Sequence, residues 1–94
     1  MWTNEQHGPD RWTREGGWLL RSGDRLAEAH VADGVAAVHM YRHDPVAANS
    51  GPMGTLTRTG GPLDDCVPMS TVAAPELLAA DEAAVWTRLE EALS

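Results

Sequence analysis

Lysine, phenylalanine and isoleucine are absent from this chain of 94 residues, and cysteine and tyrosine occur once each. A single cysteine excludes an intrachain disulfide framework and a cysteine-rich zinc module. The seven basic residues are all arginine and stand against fourteen acidic ones, which argues against a general duplex-DNA or membrane-surface binder. No long apolar run and no signal-peptide pattern is present, so we expect a soluble, acidic, cytoplasmic domain without a membrane span.

The scarce residue types also bear on origin and core size. Phe, Ile, Lys, Tyr and Asn have A/T-rich codons, so their joint scarcity points to a high-GC bacterium or a phage that infects one. Fourteen residues are alanine, which leaves few large side chains for a core. A domain of this size buries only about 60–65% of its unfolded surface, and self-association into a homodimer is a natural remedy.

The N-terminal segment is polar and contains a Gly-Pro breaker. We therefore expect an irregular arm over residues 1–11 and a single α+β domain over residues 12–94. Apolar residues around Gly16-Gly17 predict a short strand, a glycine bend or bulge, and then a strand at about 17–21.

The next segment has two interpretations. Residues 25–32 are good helix formers, with Asp24 as a candidate N-cap and Gly34 as a candidate C-cap. The dipeptide Asp33-Gly34 between two apolar runs instead predicts a β-hairpin with strands at 25–32 and 35–42.

We favour the hairpin because valines and a tyrosine follow the turn. A two-residue loop pairs Ala32 with Val35, and the same register pairs Arg25 with Arg42.

The remaining segments complete the expected fold. Residues 43–52 are expected to form a loop, residues 53–59 an edge strand, and residues 63–69 one more short strand limited by a proline. The proline at position 75 begins an amphipathic helix expected to run to about residue 93. The sequence therefore predicts a small antiparallel meander of four or five strands with one C-terminal helix packed on one face.

Few residue constellations point to catalysis or metal binding. His39, His43 and Cys66, with two neighbouring aspartates, are zinc-ligand types, but two histidines four apart on a strand lie about 13 Å from each other. The same aspartates would raise the pKa of the thiol and make it a poor nucleophile. The glycine-bearing loops match no phosphate-binding motif. We expect no cofactor, no metal and no enzymatic activity.

Tryptophan and arginine are the side chains most typical of binding surfaces. The candidate partner-binding residues are Trp12, Trp18, Arg21, Arg25 and Arg42. A cross-strand arginine pair costs stability unless an anion lies between the two side chains. In the alternative interpretation the tryptophans are core residues, and the arginines, with Arg14, are solvated or pair with local acids such as Glu15 and Glu28.

These features favour a non-enzymatic protein-interaction module, a small regulatory or accessory protein that binds another protein. One alternative is a nucleic-acid-associated regulator that uses a Trp/Arg face of the sheet, although the charge makes nucleic acid a poor partner. Another is a small enzyme or ligand-binding protein with a site at a dimer interface. No motif identifies the partner.

Overall fold

The computed structural model describes residues 1–5, 7–50 and 59–94. Within these ranges, five antiparallel strands form one meander sheet, with each strand beside its neighbours in sequence. The elements in chain order are β1 (Arg11–Arg14), β2 (Gly17–Ser22), β3 (Arg25–Ala32), β4 (Val35–His43), α1 (Pro45–Ala48), β5 (Cys66–Ala73), a 3-10 helix (Pro75–Ala79) and α2 (Glu82–Leu93). The predicted α+β meander with a C-terminal helix is confirmed.

The Asp-Gly dipeptide forms the turn between β3 and β4. Asp33 and Gly34 both have positive φ values, of 54° and 75°, as a type I′ turn requires. Arg25 pairs with Arg42, and this is the register that the two-residue loop predicts. The helical alternative for residues 25–32 is therefore wrong.

Helix α2 covers one face of the sheet, called here the helix face. Small residues line the strands there, including Ala27, Ala29 and Val38, and larger ones come from the helical segments. Leu77 of the 3-10 helix and Val85, Trp86 and Leu89 of α2 are buried against them. Buried alanines on the strands, Ala27, Ala29 and Ala36, allow close approach of the helix.

The opposite face, called here the second face, has a smaller buried layer. Because side chains alternate along a strand, Leu19 and Leu26 point away from α2, and both are fully buried. Glu28 lies on the same face and is only 3% exposed. Strand β3 is thus buried on both faces over residues 26–29.

The expected helix over residues 75–93 is not continuous, which corrects the sequence interpretation. The 3-10 helix ends at Ala79, Ala80 is extended, and α2 begins at Glu82. The side chain of Asp81 accepts a hydrogen bond of 2.9 Å from the amide of Ala84 and caps α2. The break allows the 3-10 helix to pack on β4 while α2 packs on β2 and β3.

Three further segments differ from expectation. The loop predicted at 43–52 contains α1, a single turn capped by Asp44. The strand predicted at 53–59 lies outside the described residues except for Thr59, which is not in a strand. Strand β5 continues through Pro68 to Ala73.

The N-terminal arm joins the sheet through a β-bridge between Thr3 and Thr13, and β1 begins at Arg11. Within the described residues, no helix is long and apolar enough to span a bilayer.

Candidate functional site

The five candidate partner-binding residues lie on both faces of the sheet. The strand registers place Trp18, Arg25 and Arg42 on the helix face, whereas Trp12 and Arg21 lie on the second face. Trp18 is half-buried and packs against the helix-face core. The sheet therefore does not gather the tryptophans and arginines into one surface.

The arginine pair lies at one end of the helix face. Arg25 and Arg42 are both exposed and are direct cross-strand partners. Arg42 donates a hydrogen bond of 3.1 Å to Asp44, which offsets one of the two charges. The Arg25 side chain has no hydrogen bond or ion pair to any residue in the described part of the chain.

The two arginines border a cleft of about 290 Å³. Its other lining residues are Asp24, Met40, Tyr41, Met69 and Ser70. The register between β4 and β5 shifts between Met40 and Tyr41, so the cleft lies where the two strands are locally out of step. Bulges of this kind are common beside binding sites because they re-aim side chains and interrupt the ladder.

Strand β5 forms the edge of the sheet beside this cleft. Among the described residues it pairs with β4 alone. All residues from 68 to 73 are exposed, and Met69 and Val72 retain 56% and 51% of their accessible surface. An edge strand has unpaired backbone groups that can accept a further strand.

A polar cluster lies on the second face, between β1, β3 and β4. Nη2 of Arg14 donates a hydrogen bond of 2.8 Å to Oε2 of Glu28, and the Tyr41 hydroxyl donates one of 2.9 Å to Oε1. Burial, followed by the charge and hydrogen bonding of Glu28, raises the pKa of Tyr41 to about 12. The pairing of an arginine with Glu28 matches the alternative in which arginines pair with local acids.

The side chain of Arg14 extends over Gly17 to Glu28 and lies against the ring of Trp2. The Arg14 guanidinium carbon lies 4.2 Å from the ring centroid of Trp2 in the N-terminal arm. A Cβ atom at Gly17 would lie 2.9 Å from Cγ of Arg14, so only glycine leaves room for this path. The arm and the Gly16-Gly17 segment therefore hold the cluster in place.

Two histidines continue this polar face toward β5. Glu28 is opposite His39, and His39 is opposite Thr71, so the three form a row across three strands. Nδ1 of His39 lies 2.9 Å from Oγ1 of Thr71. His30, two residues beyond Glu28, has its ring centroid 6.4 Å from that of His39.

The candidate zinc ligands are not gathered. His43 pairs with Cys66 at the end of β4, whereas His39 lies four residues earlier on that strand. No group of three or more potential metal ligands occurs within the described ranges. Burial, together with the nearby aspartates, raises the pKa of the Cys66 thiol despite the opposing effect of Arg21.

The sequence interpretation did not identify the contacts of Tyr41 with Glu28 and of His30 with His39. The predicted register contained a usable signal, because it places Glu28 opposite His39 and leaves both beside Tyr41 and His30. Comparisons with models of protein families, with curated proteins and with solved structures gave no match.

Proposed function

We propose that this protein is a non-enzymatic, cytoplasmic interaction module that binds an extended segment of another protein along β5. The observation that supports this proposal most directly is the exposure of six consecutive residues, 68 to 73, on the edge strand. Backbone hydrogen bonds along such an edge supply affinity, and alternate side chains supply specificity. The eight residues of β5 offer an edge of about 26 Å at 3.3 Å per residue.

The neighbouring arginine pair favours a bound segment that contains an acidic residue. The Arg25 side chain is without a partner among the described residues, and it lies beside the cleft that Met69 and Ser70 of β5 also line. A carboxylate placed there relieves the repulsion between Arg25 and Arg42 and forms charge-assisted hydrogen bonds. The proposed partner is therefore an extended segment with apolar residues and one aspartate or glutamate.

A peptide library displayed with fixed glutamate or fixed glutamine at one position tests this proposal. We expect selected peptides to contain apolar residues and to prefer glutamate. On binding, NMR should show shifted and slowly exchanging amides on β5. Peptides that perturb α2 instead of β5, or a library that yields no binder, would contradict the proposal.

Matched variants locate the site. Val72→Glu should weaken binding about tenfold, since it removes apolar cover and repels an acidic peptide. Val46→Glu is the control, because Val46 is 82% exposed in α1 and is not among the residues that line the cleft. Arg25→Ala should abolish the preference for glutamate but leave the β5 shifts unchanged. Equal effects of Val72→Glu and Val46→Glu would place the site elsewhere.

A second copy of the chain is the competing occupant of the edge. Sedimentation at increasing protein concentration should show a monomer if the edge is kept for another protein. A stable dimer that is dissociated by Val72→Glu would overturn the proposal in favour of pairing between two copies.

A further inference from the structure

The half-buried histidines of the second face lie on neighbouring strands and point to the same side of the sheet. His30 is opposite Ala37, and His39 is opposite Glu28, so the histidines form a diagonal cross-strand pair. Their rings are tilted by 51°, with the centroids 6.4 Å apart. We infer that His30 and His39 together bind one divalent transition-metal ion, of the zinc, copper or nickel class.

The separation of the rings is compatible with a shared ion. A metal–nitrogen distance of about 2.0–2.1 Å puts an imidazole centroid roughly 3.2 Å from the ion, so two rings on one ion have centroids up to about 6.4 Å apart. The observed separation is at this limit. That limit corresponds to nitrogens on opposite sides of the ion, so a tetrahedral site requires the two half-buried rings to move closer together.

Threonine 71 orients one of the two ligands. When Nδ1 of His39 donates its hydrogen to Oγ1 of Thr71, the distance of 2.9 Å fixes the ring and leaves the Nε2 lone pair free for a metal. The ring of His30 makes no hydrogen bond to any residue within the described ranges, so no protein group there competes with a metal for its nitrogens.

The surroundings favour a cation with water in its remaining positions. Arg14 lies in the same cross-strand row as His30, and its positive charge is balanced by Glu28, which is directly opposite His39. The net charge of −7 attracts cations to the protein as a whole. Two imidazoles with two or more water molecules suit copper, nickel and zinc rather than magnesium or calcium.

This inference does not depend on the proposed peptide site, because the histidines lie on the face opposite Arg25 and Arg42. Calorimetric titration of the full chain with zinc chloride, and separately with copper chloride, should show one ion per chain. Copper should bind more tightly than zinc, as the general order of metal affinities requires.

The chain supplies its own controls, since two of its four histidines lie outside the pair. His30→Ala and His39→Ala should each weaken binding about tenfold or more, whereas His7→Ala and His43→Ala should leave it unchanged. Circular dichroism confirms that each variant is folded. Absence of binding by the wild-type chain, or equal losses in all four variants, would overturn the inference.

Thr71→Val provides an independent test, because it removes the group that selects which ring nitrogen of His39 carries the hydrogen. Nitrogen-15 NMR of the apo protein should show His39 protonated at Nδ1 in the wild type and a mixture of tautomers in the variant. Zinc affinity should fall by about tenfold, as for loss of an orienting group. A wild-type His39 that is protonated at Nε2, with unchanged affinity in the variant, would contradict the assigned ligand atom.

Discussion

The hydroxyl of Tyr41 donates a hydrogen bond of 2.9 Å to Oε1 of Glu28, across the β3–β4 ladder on the face opposite α2. The carboxylate is almost wholly buried, with a side-chain exposure of 4%. Arg14 binds its other oxygen. The buried carboxylate of Glu28 is thus held between the cationic Arg14 and the neutral hydroxyl of Tyr41. Each of these two contacts is expected to have an effect that can be measured.

The first prediction concerns the ionisation of Tyr41. Its pKa rises from 10.0 to about 12 on folding, chiefly because burial and Glu28 disfavour a second negative charge. The resulting stabilisation is present in full below pH 10 and is lost as the pH rises through about 12. Unfolding experiments should therefore show stability falling over that interval.

The single tyrosine of the chain makes this prediction direct to measure. Ultraviolet absorbance of tyrosinate should titrate near pH 12 in the folded protein and near pH 10 in denaturant. Glu28→Gln should move the folded midpoint part of the way back, because burial remains while the charge is removed. A folded midpoint at the unfolded value would show that Tyr41 is neither buried nor hydrogen-bonded to Glu28 in the folded protein.

The second prediction concerns Arg14. Arg14→Ala leaves the carboxylate of Glu28 buried with Tyr41 as its remaining described partner, and it also removes the stacking of Arg14 on Trp2. We expect a loss of about 1–3 kcal/mol in the free energy of unfolding, measured by urea denaturation.

The control for Arg14 is an exposed ion pair. Arg88 binds Glu76 at 3.4 Å, with the glutamate 59% exposed. Solvent screens this pair, so Arg88→Ala should change the unfolding free energy by less than about 0.5 kcal/mol. Similar losses for the two variants would mean that burial of Glu28 does not strengthen its interaction.

The hairpin was accessible from sequence because its signal is local. Asp33-Gly34 sets the turn, and the turn sets every pair from Ala32–Val35 to Arg25–Arg42. The break at Ala80-Asp81 was not accessible in this way. No glycine or proline marks it, and the one local signal is Asp81, a residue type that caps helices. The break also depends on the packing of the 3-10 helix and α2 against different strands.

The polar cluster of Arg14, Glu28 and Tyr41 could not be predicted from the residue pattern of any one strand. Residues 26–29 of β3 are buried on both faces, so the burial pattern loses the alternation that normally identifies a polar side. From the sequence alone, Glu28 resembles an ordinary surface acid. Its burial depends on the fold, which brings Arg14 of β1 and Tyr41 of β4 into contact with it. The same registers divide both the candidate arginines and the candidate tryptophans between the two faces.

The third prediction concerns the turn between β1 and β2. Gly16 has a φ of +69°, and a Cβ atom there would lie 2.6 Å from the backbone oxygen of Val31. Gly16→Ala combines a left-handed backbone with a clash against backbone that has little freedom to move. We expect a loss above about 2 kcal/mol in thermal or chemical unfolding.

Gly23 is the control that separates the backbone strain from the steric clash with Val31. Its φ is +63°, but a Cβ atom there would meet no atom of the described residues within 4 Å. Gly23→Ala should therefore cost only the backbone strain, about 1–2 kcal/mol. If Gly16→Ala proves no more destabilising than Gly23→Ala, the contact with Val31 carries no energetic weight.

The last prediction concerns the start of α2. Asp81 accepts the amide of Ala84 at 2.9 Å, and its negative charge lies at the positive end of the helix. Asp81→Ala should lower the unfolding free energy by about 1 kcal/mol, with faster hydrogen exchange at Ala84.

Asp10→Ala is the matched control, because it makes the same change of charge at an exposed residue outside any helix. It should leave both the unfolding free energy and the exchange at Ala84 unchanged. If instead Asp81→Ala were stabilising and increased the helical circular dichroism, the break at Ala80-Asp81 would be imposed by the aspartate alone. The expected loss requires that Leu77 and Trp86 keep the two helical segments apart when the cap is removed.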